Sequence, residues 1–216
     1  MRATIALLAL SGLAGCVSWS GNSPRVSVPG PEPLRVEVPP ARTIELNLAN
    51  GEATVVAASV DHVSVTVDIR CPESSTRCRD RASKVALTSG TTRDSVRFEF
   101  DGSLGSGAEV NTEVQVPVDR PLVVRMKYGE LNIENLEQDL SVRMTAGDID
   151  LSLPERSVGR AELGATFGES SVRTDQGEQE GRRPLLVGSK IEWDGDGQNS
   201  VTGRVRFGDI QLVLTP

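Results

Sequence analysis

A short motif recurs through the second half of this chain at intervals that only a few folds can accommodate. Segments 126–133, 144–151, 165–172 and 205–212 read MKYGELNI, MTAGDIDL, ATFGESSV and VRFGDIQL, and a weaker copy at 186–191 reads LVGSKI. Their glycines, Gly129, Gly147, Gly168, Gly188 and Gly208, are 18, 21, 20 and 20 residues apart. A period near 20 built from strand-forming residues is the signature of a β-solenoid. Each coil would contain two or three short strands with a glycine at one corner, where φ must be positive or the coils approach closely. Aliphatic residues after each glycine would stack into ladders, which suits a chain with only 3 % aromatic residues. The alternative is a β-sandwich whose turns happen to reuse glycine.

The first half has the period of two expected of half-buried strands. Ile44, Leu46 and Leu48 alternate with Glu45 and Asn47, Asn50-Gly51 reads as a turn, and Val63, Val65, Val67 and Ile69 continue the alternation. Segments 95–100 and 109–118 read as two more strands around a glycine-rich turn, and 79–87 as a short helix. The fold class is therefore all-β, with a meander over 41–118 leading into a solenoid over 119–216 as one continuous domain.

The N-terminus is of another kind. Arg2 is followed by the apolar run 3–10, too short to span a bilayer but the right size for a signal-peptide core. Leu13-Ala14-Gly15-Cys16 resembles the lipobox of bacterial lipoproteins. The resemblance implies that 1–15 is a signal peptide and that Cys16 becomes the lipid-modified mature N-terminus. Palmitate-type acyl chains would then anchor the chain, since two or more chains hold stably where one holds marginally. Val17, in place of Asp, favours the outer membrane under the enteric sorting rule. Residues 16–40 hold Pro24, Pro29, Pro31, Pro33, Pro39 and Pro40 and read as a tether. Val26, Val28, Leu34, Val36 and Val38 alternate with other residues within it, the pattern of an edge strand.

The repeated Gly-Asp/Glu-Ile/Leu motif after an alternating β meander resembles the putative-adhesin domain family of bacterial envelope proteins, over roughly 42–214. The resemblance implies a fold of that kind and a cell-envelope location. It transfers no catalytic residues.

Composition excludes several functions. One histidine, His62, rules out multi-histidine metal sites and argues against a Ser-His-Asp triad. A pI near 4.9 and net charge of −7 argue against nucleic acid as a partner. In an exported chain, Cys71 and Cys78 read as a structural disulfide. Glu130, Asp148, Glu169 and Asp209 each follow a corner glycine and would form an acidic column, interrupted at Ser189. Like charges directly opposite are unfavourable, so solvent, the nearby Lys127, Arg143 and Arg206, or a cation must offset them. A solvated turn ladder and a Ca²⁺-binding edge are the two readings, with a paired-carboxylate glycosidase a distant third. Asp194-Gly-Asp196 starts like a Ca²⁺ loop but has Asn199 and Val205 where that loop needs Gly and Glu. Trp193 reads as a lid on the core or an exposed sugar platform. The sequence thus points to a non-enzymatic envelope protein without a cofactor, held at the membrane by its lipid. It would present a ladder surface to a protein or glycan. An envelope-stress or assembly factor facing the periplasm is the alternative.

Overall fold

The computed structural model describes residues 24–39, 42–102, 104, 107–182 and 188–216. The expected signal peptide, Cys16 and the start of the weak repeat around Gly188 lie outside them. Strands account for nearly everything described. The meander comprises β1 (Arg25–Val28), β2 (Leu34–Glu37), β3 (Thr43–Asn47), β4 (Gly51–Ala58), β5 (His62–Pro72), helix α1 (Thr76–Ala82), β6 (Ala86–Thr91), β7 (Ser95–Asp101) and β8 (Glu109–Pro117). The repeats supply β9 (Leu122–Glu134), β10 (Leu140–Pro154), β11 (Val158–Phe167), β12 (Ser170–Thr174), β13 (Gly177–Glu180), β14 (Ser189–Asp194), β15 (Asn199–Phe207) and β16 (Ile210–Thr215). All belong to one hydrogen-bonded network, so the chain is all-β.

The long strands bend, and each half finds its own neighbours. In β9, Leu122–Arg125 pairs in parallel with β3, whereas Gly129–Glu134 pairs in parallel with β4. β10 follows β9 in parallel along nearly its whole length, then pairs with β15 through its first half and β16 through its second. β11 lies parallel to β15 and β12 parallel to β16. Two faces therefore meet along a line of glycines. One runs β6-β7-β3-β9-β10-β15-β11-β14, and the other β5-β8-β4-β9-β10-β16-β12-β13. Between them lies an aliphatic core of cross-strand ladders. Ile44, Leu122, Leu140, Val201 and Ala161 form one, and Val55, Ile133, Leu151, Leu212 and Val172 another. Every residue of both ladders is buried, which gives the strands the alternation read from the sequence.

Several expectations change. The repeats do not stack in sequence order: β15 and β16, the last to be made, lie between β10 and the β11–β12 pair. The weak repeat at Gly188 does not join the parallel stack, because β14 runs antiparallel to β11, with Ser189 opposite Ala165. A chain that turns back cannot extend a parallel ladder, and the C-terminal strands then fill the place between β10 and β11. Asn50-Gly51 is not a hairpin turn, for Gly51 opens β4 and sits in register with Gly129. The proline-rich segment gives β1 and β2, both antiparallel to β5. The prolines fall outside these strands, where no ladder donor is needed. Helix α1 starts earlier than predicted because the Ser75 side chain accepts the Cys78 N–H and fixes its first turn.

Candidate functional site

The line where the two faces meet is the structure's most regular surface. Gly51, Gly129, Gly147, Gly208 and Gly168 follow one another across it, all at positive φ. The spacing leaves no room for a side chain: a Cβ on Gly147 would fall 1.7 Å from the Gly129 carbonyl oxygen. Each strand can therefore turn from one face to the other only at glycine.

The residue after each glycine is acidic, in the order Glu52, Glu130, Asp148, Asp209, Glu169. Asp209 thus stands between Asp148 and Glu169, and Ser189, expected as an interruption, lies elsewhere. Ser189 is buried, and its hydroxyl meets that of Ser170 at 2.8 Å. Within the row, Asp148 Oδ1 accepts the Asp209 N–H at 3.1 Å and Asp209 Oδ1 accepts the Glu169 N–H at 2.7 Å. Two members of the column thus bind backbone amides that the bend takes out of the ladder. Asp150 lies one alternation further along, and burial, reinforced by the Asp148 charge, raises its pKa. These residues, with Glu178 and Glu180 of β13, line an open cleft of about 400 Å³. Among the described residues, no three His, Cys, Asp or Glu side chains converge closely enough to hold a metal ion.

The residue before each of Gly129, Gly147, Gly208 and Gly168 forms a second row: Tyr128, Ala146, Phe207 and Phe167. Its aromatics are the large hydrophobic residues most exposed among those described, Tyr128 at 53 %, Phe167 at 46 % and Phe207 at 43 %. Phe167 and Phe207 stack with ring centroids 5.0 Å apart, and the Arg206 guanidinium lies 5.2 Å from the Phe207 centroid.

Four residues before Gly129, Gly147 and Gly208 comes a third row, Arg125, Arg143 and Arg204, exposed on adjacent strands. Arg125 reaches Glu45 at 3.4 Å, but Glu45 is held mainly by Arg97, whose hydrogen bond keeps its carboxyl below the usual range. Among the described residues no ion pair reaches Arg143, Arg204 or Lys127. The arginine row, the aromatic row and Glu52 were missed in the sequence. The first two could have been found at fixed offsets from the repeat glycines.

The remaining candidates are structural in their surroundings. Cys71 and Cys78 form a disulfide, both residues buried. Trp193 packs against the core beneath Gly195, where a Cβ would fall 2.1 Å from the indole ring. The 194–198 loop is pinned by Gly195 N–H to Gly159 O and Gly197 N–H to Val158 O.

No protein-family model and no curated protein matches the sequence. Solved structures do. A "putative cell adhesion protein" from Clostridium sporogenes ATCC 15579 aligns with a TM-score of 0.52 at 14 % identity, over 86 % of this chain and all (100 %) of that one. A "putative adhesin" from Parabacteroides merdae ATCC 43184 aligns at 0.30 and 8 % identity, over 89 % and 82 % of the two chains. Another from Bacteroides fragilis NCTC 9343 aligns at 0.29 and 9 % identity, over 88 % and 97 %. The first likeness establishes a shared fold.

Proposed function

We propose that this chain is a lipid-anchored, non-catalytic binding protein of the bacterial cell envelope. Cys16 is its anchor, and its glycine-cornered strands act as a short β-solenoid for display. The observation that carries the reading is the corner itself. Five strands in register carry an acidic residue after the corner glycine, and three of them an arginine and three an aromatic residue at fixed offsets before it, at steps of about 4.8 Å. Such a surface suits an extended partner met by contact along its length. The fold shared with the C. sporogenes protein supports an adhesin-like role. Among the described residues no helix is long and apolar enough to cross a membrane, so the proposed hold on the membrane is the acyl group.

Metabolic labelling with a palmitate analogue, followed by protease treatment of intact and permeabilised cells, tests the reading. The wild type incorporates label and sediments with membranes, and Cys16→Ser abolishes both. An unlabelled, soluble wild type overturns the anchor. Digestion in intact cells places the domain outside and favours adhesion. Protection until permeabilisation places it in the periplasm and transfers the role to an assembly or stress factor.

A further inference from the structure

The two charged ladders flanking the corner differ in what the fold does for them. In the acidic row, Asp148 and Asp209 accept backbone N–H groups from the neighbouring strand, so their negative charge has a use inside the molecule. The arginine row has no equivalent. Arg143 stands directly between Arg125 and Arg204 in the register. Arg125 has only a share of Glu45, while Arg143 and Arg204 have no ion pair among the described residues. Like charges at cross-strand positions repel. The chain's net charge of −7 means that this concentration of cations is not a by-product of a basic composition.

We propose that this face is the docking surface for a linear acidic polysaccharide, one carrying carboxylates at regular intervals. The inference rests on the reading of the domain as a binding module and supplies its ligand class. Guanidinium groups take carboxylates through paired N–H donors, and a row at strand spacing in which only Arg125 has a partner offers such forks along one line. The residues beside the row suit the rest of a sugar. Ser141 and Thr202 occupy the next outward-facing positions on one side, and Thr145 lies on the other with Lys127 and Arg206. Hydroxyls thus flank the cations on both sides, where glycan hydroxyls need partners. Nucleic acid fits less well, because base stacking needs open ring faces. Phe167 and Phe207 cover one another, Arg206 is already on Phe207, and the exposed Tyr128 stands alone, with Ala146 between it and Phe207, so the row offers no series of open rings. A flat anionic membrane fits less well, because the guanidinium groups without ion pairs lie along one line and the cations beyond it, Arg160 and Lys190, are already paired with Glu162 and Glu192.

The test uses the full chain purified in detergent and polygalacturonate as the probe. At about 50 mM salt the wild type binds, and binding weakens at least about tenfold when salt is raised to about 300 mM, as phosphate contacts do in nucleic-acid complexes. Arg143→Ser with Arg204→Ser lowers affinity about tenfold or more, with the melting temperature and circular dichroism of the wild type. Glu113→Gln, an exposed position of β8 on the other face, leaves binding as tight as in the wild type. The proposal is overturned if the wild type does not bind polygalacturonate at low salt, or if the arginine variant binds equally well. It is also overturned if single-stranded oligothymidine or phosphatidylglycerol vesicles are preferred to the polysaccharide. Arginine-dependent self-association in sedimentation, without polysaccharide binding, overturns it in favour of a second copy. Capture of an uncharged envelope glycan, unaffected by the arginine variant, refutes the ligand class while leaving the binding-module reading in place.

Discussion

Asp209 Oδ1 accepts the backbone N–H of Glu169 at 2.7 Å, across 40 residues of sequence. The bend at Gly168 removes that amide from the regular ladder, and the carboxylate of the neighbouring corner takes it up. A charged acceptor on a backbone donor contributes about 1.5–3 kcal/mol where water does not compete, and less at an exposed corner. Asp209→Ala is therefore expected to lower the unfolding free energy by about 1–2 kcal/mol in urea titration. Asp209→Asn keeps an oxygen at the same place and should recover more than half of the loss. Equal losses in the two variants would mean that the amide contact contributes nothing.

This contact also marks where the sequence stops being informative. The residue types at each corner are legible because they recur at fixed offsets from glycine, so Glu130, Asp148, Glu169 and Asp209 could be placed on one edge. Their order could not, because a period near 20 is the same whichever coil lies beside which. Nor does the weak copy at Gly188 reveal that its strand turns back, since antiparallel and parallel strands share one alternation. Glu52 escaped for a related reason. Asn50-Gly51 is the dipeptide of a tight turn, and only the distant register with Gly129 assigns it to the corner. The interior was easier: the period of two in 44–48 and 63–69 placed those aliphatic residues inward before any neighbour was known.

Two glycines with similar backbone angles should respond very differently to alanine. Gly147 has φ +123°, and its absent Cβ would lie 1.7 Å from the Gly129 carbonyl oxygen. Gly177, in the β12–β13 hairpin, has φ +135° with nothing within 4 Å. Gly177→Ala therefore meets only the cost of an unfavourable φ, about 1–3 kcal/mol. Gly147→Ala adds a clash that can be relieved only by separating two strands, and it should exceed about 4 kcal/mol, the range seen for the most disruptive substitutions. Comparing soluble yield and urea midpoints decides this, and equal effects would contradict close packing along the corner.

The disulfide between Cys71 and Cys78 closes a loop of sequence separation 7 that ends in the first turn of helix α1. Restricting so short a loop in the unfolded chain is worth about 2–3 kcal/mol. Replacing both cysteines with serine should lower stability by about that amount or somewhat more, because both positions are buried. Reduction of the wild type should reproduce most of the effect. Loss of α1 helicity with an unchanged melt would instead confine the bond's influence to the loop.

Asp150 supplies the pH test. Burial first, and the Asp148 charge second, raise its pKa above the ordinary carboxylate value. A carboxyl that holds its proton more tightly folded than unfolded penalises the fold when ionised. That penalty is complete at neutral pH and is relieved as pH falls through the raised folded pKa toward the unfolded value of about 3.9. Asp150→Asn cannot ionise, so it should be more stable than the wild type at pH 7, by about 0.5 kcal/mol or less at this half-buried position. The advantage should shrink as both proteins are melted at progressively lower pH, and be gone about one unit below the unfolded value, near pH of about 3. An advantage that persists unchanged at low pH would trace the effect to side-chain shape and not to charge. A variant less stable at pH 7 would mean that the ionised carboxylate is held by a favourable partner that outweighs both its burial and its neighbour Asp148.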